Sequence, residues 1–216
     1  MKKTLFLLSV AIVALTGCSS EPVRVACLGD SITYGHGIVN RYRDAYPGIL
    51  DSLLGDGFDV RNYGVCGATA MNKTDMPYTK EQLYKEALEF NPQIVTIMLG
   101  TNDSKPYNWK YQEDFKSDLK GMIYELRALP ASPEIWLFLP VPAMGHAWNI
   151  NDSVIYNGVI PYIKEVAAEE NIRLVDLNTP FQGKRQYFPD TIHPNEEGES
   201  MIADIVLKTI PFRKRL

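Results

Sequence analysis

The sequence is poor in the residues that build metal centres and covalent frameworks. Its 216 residues include three cysteines and three histidines. His36, His146 and His193 are scattered, and none has cysteines beside it at zinc-ligand spacing, so no metal site is expected. Positive charge is also scarce. The 22 Lys and Arg against 26 Asp and Glu leave a net charge of -4, which excludes a nucleic-acid surface built from clustered cations. The one basic run, Arg213-Lys214-Arg215, ends the chain and reads as a solvated tail. Repeats, low-complexity tracts and long linkers are missing. The N-terminal apolar run covers residues 5–15 and is too short to be a comfortable membrane span. What remains, 45% hydrophobic and 22% charged residues, is the balance of an ordinary globular domain, long enough for one sizeable core.

The chain begins with Lys2 and Lys3, then the apolar run, then Leu15-Thr16-Gly17-Cys18. This resembles a bacterial lipoprotein signal with its lipobox. The resemblance implies cleavage before Cys18 and lipidation of that residue; an ordinary secretory signal with a chance cysteine is the alternative. Residues 1–17 are then a signal peptide, 18–22 a lipidated N-terminus and short tether, and 23–216 the folded domain. Four tether residues reach roughly 13 Å, so the domain is expected close to a membrane of the bacterial cell envelope, anchored rather than inserted. An exported compartment permits a Cys27–Cys66 disulfide. Bridge geometry is demanding and cysteine is commonly a small core residue, so free thiols are the expectation.

Strand-like and helix-like segments alternate along the chain. Apolar, β-prone runs at 23–28, 58–63, 94–99, 134–139 and 172–177 read as strands. Residues 42–54, 81–90, 111–129, 154–170 and 196–210 have helical apolar spacing, with Pro47 disturbing the start of the first. Such alternation implies a parallel sheet covered on both faces. The expected fold is therefore a three-layer α/β/α sandwich, flavodoxin-like, with five parallel strands in the order 2-1-3-4-5.

In an open α/β sheet, ligands gather beyond the carboxyl ends of the strands. The first strand ends in Gly29-Asp30-Ser31, the second in Asn62-Tyr63-Gly64 and the third in Gly100-Thr101-Asn102-Asp103. After the fifth comes Phe188-Pro189-Asp190-Thr191-Ile192-His193, which reaches the same edge. A serine hydroxyl needs a base to become a nucleophile. Histidine suits that task near neutral pH, an acid orients the histidine, and fixed donors stabilise a developing oxyanion. The clusters supply each part: Ser31 as nucleophile, His193 as base, Asp190 as orienting acid, and the N–H groups of Ser31 and Gly64 with the Asn102 amide as donors. Taken singly, each cluster also reads as a turn, an Asx-turn or a helix start.

The blocks GDSIT, NYGVCGAT, GTND and DTIHPN occur in order over residues 29–195. With them the chain resembles the SGNH hydrolases, or GDSL-type esterases and lipases. The family's four named residues match Ser31, Gly64, Asn102 and His193, and Ile32 stands where the family's nickname has Leu. The resemblance implies ester hydrolysis through an acyl-enzyme, with no metal or organic cofactor. GTNDSKPYNWK and the later LPVPAM are similar to the carbohydrate O-acetylesterase branch, including sialate and xylan acetylesterases. That implies acetyl removal from a glycan or another small ester. Asp30, Tyr34, His36, Trp109 and Trp148 are the candidate substrate contacts; the tryptophans equally fit as loop packing. The rival functions are a lysophospholipase or thioesterase acting on lipid esters, and a non-catalytic glycan-binding lipoprotein.

Overall fold

The computed structural model describes residues 21–212. The signal segment, Cys18 and the basic tail lie outside the described residues. Five strands form one sheet: β1 (Val23–Gly29), β2 (Phe58–Gly64), β3 (Ile94–Met98), β4 (Glu134–Leu139) and β5 (Arg173–Asp176). Every pairing is parallel and the order is β2-β1-β3-β4-β5, as the sequence pattern predicts.

The inner strands β1, β3 and β4 are apolar nearly throughout because both of their faces are covered, while the edge strands β2 and β5 carry charged residues. Side chains alternate between faces, so each strand feeds two cores. Ala26, Leu28, Val95, Ile97 and Leu137 join one, covered by α3 (Gln82–Glu89), α4 (Phe115–Arg127) and α5 (Ile160–Glu169). Val25, Cys27, Met98, Phe138 and Val175 join the other, under α2 (Tyr46–Leu54) and α6 (Glu196–Thr209). A single-turn helix, α1 (Ser31–Tyr34), follows β1 directly. Cys27 and Cys66 are both free: Cys27 points into the second core and Cys66 lies beyond β2. Among the described residues no helix is long and apolar enough to cross a membrane.

Proline accounts for two departures from the expected helices. The 42–54 segment splits into a turn at Arg41–Asp44 and α2, with Pro47 in the first turn of α2, where a missing N–H costs nothing. The 154–170 segment is helical throughout but not uniformly α. It widens to a π turn over Ile155–Val159 before α5. Pro161 has no N–H to give and its ring crowds the carbonyl four residues back, which the wider turn accommodates.

The covering helices α2 and α6 are joined by a buried polar contact. Glu199 is 1% exposed, and its Oε2 accepts the Tyr46 N–H at 2.8 Å. Burial pushes its carboxyl up to about 8, against the opposing pull of that hydrogen bond. Between the ordinary value of 4.5 and about 8, the folded chain holds a proton that the unfolded chain releases. This contribution to stability is complete below the lower value and lost as pH rises through the upper one. Glu199→Gln removes that slope. Calorimetric Tm values at pH 5 and pH 8 should show wild type losing ground to the variant; a Tm difference that does not change with pH would refute the assignment.

Candidate active site

Where β1 ends, Asp30 turns the chain into α1. Its Oδ1 accepts the Ile32 N–H at 2.9 Å, satisfying one of the free donors of a helix start. Asp30 is fully buried, and burial outweighs its hydrogen bonds and raises its carboxyl to about 6. Ser31 is then the first helical residue, 6% exposed. Its N–H has no protein acceptor among the described residues.

The loop before α6 delivers the partner. Asp190 Oδ1 accepts the N–H groups of Ile192 at 2.9 Å and His193 at 2.7 Å. These bonds fold the segment into a tight turn, with Thr191 at φ +79°. Asp190 Oδ2 lies 2.7 Å from His193 Nδ1, and His193 Nε2 lies 2.9 Å from Ser31 Oγ. With Asp190 ionised, Nδ1 carries the ring proton and Nε2 is free to accept the Ser31 hydroxyl. Partial burial works to raise the Asp190 carboxyl, but the bonds from His193 and Ile192 together hold it below its ordinary value. Burial lowers the His193 pKa below 6.5, outweighing the pull of Asp190.

Two residues at the end of β3 fasten the loop that follows β2. Asn102 Nδ2 donates to the Ala68 carbonyl at 3.2 Å, which leaves its second N–H unused. Asp103 is fully buried and accepts the N–H groups of Ala70 and Met71, each at 3.0 Å. Burial still raises its carboxyl to about 7. This loop carries Gly67, which lines the pocket at φ +86°, a conformation that favours glycine. The Gly67 N–H has no protein acceptor among the described residues.

Gly64 is therefore a correction. Its N–H donates to Asn62 Oδ1 at 2.9 Å, and Gly64 does not line the pocket. Instead its Cα lies against the α1 backbone, where an added Cβ would meet Tyr34 N at 2.2 Å. The sequence held the signal: an Asn two residues before a glycine is an Asx-turn, whose side chain takes that N–H.

Ser31, His193 and Asn102 share a pocket of about 200 Å³ with His36, Trp148 and Lys105. The His36 ring centroid is 4.3 Å from that of His193, and Trp148 is 5.0 Å away. His36 Nδ1 also lies 3.9 Å from Cys66 Sγ. The remaining predicted contacts do not reach the pocket. Asp30 is buried beneath Ser31. Tyr34 stacks under the Arg41 guanidinium at 4.0 Å. Trp109 packs on Phe115 and Tyr162, so close to Gly158 that a Cβ there would meet its ring at 2.4 Å. Asp103 and Lys105 fall in the stretch GTNDSKPYNWK to which the sequence points, but neither is assigned a role of its own there.

Ligand atoms of His36, Asp190 and His193 lie within 4.8 Å of one another. They are the described residues that could hold a metal, but an ion there would compete with the Asp190–His193 bond. His146 is exposed and stands apart from this group.

Several known proteins share this framework. The family model described as GDSL-like Lipase/Acylhydrolase matches residues 27–200. An acetylxylan esterase of Xylanibacter ruminicola is 42% identical over 208 residues. The match covers 88% of this chain but 43% of that protein, so the chain spans under half of the relative's length. Among solved structures, a lipase/acylhydrolase from Enterococcus faecalis superposes with a TM-score of 0.71 at 23% identity, covering 88% of this chain and 96% of that one. An acetyl xylan esterase, AlAXEase, gives 0.68 at 19%, covering 87% and 100%. At these identities the structural likeness concerns the fold.

The electrostatics give a direct test. Removing the Asp190 charge takes away the one attraction that favours the His193 cation, so Asp190→Asn should lower the His193 pKa further. An NMR titration of the ring protons should place wild type below 6.5 and the variant lower still; a wild-type value at or above 6.5, or a rise in the variant, would contradict this account.

Proposed function

Because the chain belongs to the GDSL-like lipase/acylhydrolase family, we propose that it is a serine esterase releasing small acyl groups, acetyl foremost, from carbohydrates. The observation that carries this reading is the unbroken relay from Asp190 through His193 to Ser31, set beside unused donors in a small pocket. Ser31 Oγ attacks the ester carbonyl while His193 Nε2 takes its proton. Asp190 holds the ring in the required tautomer and stabilises the imidazolium. The oxyanion is received by the Ser31 N–H, the Gly67 N–H and the free N–H of the Asn102 amide. His193 then protonates the departing alcohol, leaving the acyl group on Ser31. Water, deprotonated by the same ring, releases the acid and restores the hydroxyl.

Substrate size and type rest on separate supports. A pocket of about 200 Å³ lies below the ~300–1,000 Å³ common for drug-sized ligands, which favours a short acyl group over a lipid chain. Trp148 is 53% exposed beside His193 and offers an apolar face to a sugar ring. The acetylxylan esterase relative supports the same choice. We propose further that Cys18 carries a lipid in the cell envelope. The strand leading from it, β1, starts at the sheet edge opposite the pocket and spans seven residues, roughly 20 Å. Anchored there, the pocket faces away from its own membrane, which suits a glycan better than a lipid ester.

A series of p-nitrophenyl esters from acetyl to palmitoyl, run on protein starting after Cys18, tests the reading. Acetyl should be cleaved fastest, Ser31→Ala should abolish turnover, and Asn102→Ala should cost about 10²–10³ in kcat. A maximum at long chains would favour the lipid rival, and no hydrolysis of any ester would favour the binding module. Activity that survives Ser31→Ala would refute the site.

A further inference from the structure

The pocket contains a cation that the ester chemistry above does not use. Lys105 follows the short helical turn Asn102–Ser104 at the end of β3, is 8% exposed and lines the pocket on the same wall as Asn102. A lysine whose stem is held inside the fold is stabilised when a hydrogen-bonded counter-charge meets its ammonium. Elsewhere in this chain the lysines at 73, 116, 120 and 208 each reach a carboxylate at the surface. Lys105 does not: among the described residues its Nζ has neither a hydrogen-bond acceptor nor an ion-pair partner, and its nearest recorded company is the Tyr107 ring, 5.9 Å away.

The neighbouring acids do not pair with it. Asp30, beneath Ser31, is the acid that feels Lys105 through space, yet it makes no ion pair with it. Asp103 is committed to the Ala70 and Met71 amides. The pocket lining itself includes no carboxylate, although the chain as a whole carries a net charge of -4. A pocket whose lining offers a lysine ammonium and no carboxylate favours an anionic ligand, and a lysine ammonium binds a carboxylate as a point charge through up to three donors.

We propose that Lys105 is a carboxylate-binding residue that makes this pocket selective for acetylated acidic sugars, in which a uronic-type carboxylate lies near the ester. The inference deepens the esterase reading and rests on it. The carboxylate takes the place of pocket water at the ammonium, and the resulting charge-assisted bond fixes the sugar with its ester toward Ser31.

The test measures acetate release from an O-acetylated methyl glucuronoside and from its methyl ester, which keeps the ring and removes the charge. Wild type should prefer the free acid by about tenfold or more in kcat/KM, the scale of a charge-assisted hydrogen bond, chiefly through KM. In Lys105→Met the preference should collapse toward unity, and in Lys105→Arg it should largely survive. Wild type treating acid and ester alike, while still cleaving p-nitrophenyl acetate, overturns the carboxylate proposal alone. A preference that persists in Lys105→Met overturns it too. Failure to cleave p-nitrophenyl acetate as well overturns the esterase reading beneath it. The wild-type comparison decides the question even if Lys105→Met does not fold.

Discussion

One hydrogen bond, 2.9 Å between Ser31 Oγ and His193 Nε2, spans 162 positions of sequence. Its two ends belong to different structural units, and the rest of the fold keeps those units in register. Ser31 is fixed by β1 and the Asp30 cap, which set the first turn of α1. His193 is fixed by Asp190, whose carboxylate takes both backbone and ring N–H groups of one short loop. That loop leads into α6, and Glu199 of α6 takes the Tyr46 N–H at the start of α2. The same helix pair that closes one core therefore also braces the loop that carries His193.

Burial dominates the electrostatics of this edge. Asp30, Asp103 and Glu199 all lie inside, and their carboxyls are raised to about 6, 7 and 8. Each accepts backbone N–H groups that would otherwise be orphaned inside the fold. An unsatisfied buried amide costs on the order of 1–3 kcal/mol, so these contacts offset the penalty of burying an acid. Asp190 differs because its side chain is 33% exposed and receives three N–H groups, and so it stays ionised. The contrast is physical: the acids that shape loops can be neutral, whereas the one that orients the imidazole must be charged.

The sheet was legible because its inner strands are buried on both faces and read as nearly unbroken apolar runs. The strand ends were legible for the same reason, since Gly29-Asp30-Ser31 and Thr101-Asn102-Asp103 interrupt such runs abruptly. What sequence could not resolve was which of two nearby glycines presents its N–H. Gly64 and Gly67 stand three residues apart, and only the Asn62 side chain on Gly64 and the positive φ of Gly67 separate them. Trp109 and Trp148 look alike as loop aromatics. They part because Gly158 admits the Trp109 ring into the first core, while no comparable gap receives Trp148. Lys105 lies in the stretch GTNDSKPYNWK but has no role of its own in the sequence reading for a related reason: a lysine after a strand usually reaches solvent, whereas most of this one is covered.

Trp148 itself shows what that closure requires. It and Asn149 are consecutive residues at φ +53° and +61°. Asparagine tolerates that region, but a tryptophan there is strained, at a cost of order 1–3 kcal/mol. The surrounding structure must impose this shape, since local propensity opposes it. Its effect is to hold a half-exposed indole 5.0 Å from the His193 ring. The indole keeps water from one side of the imidazole, and burial is the largest influence lowering the His193 pKa. The strained turn at the pocket mouth thus acts on the base: it helps keep His193 neutral, the form that can accept a proton from Ser31.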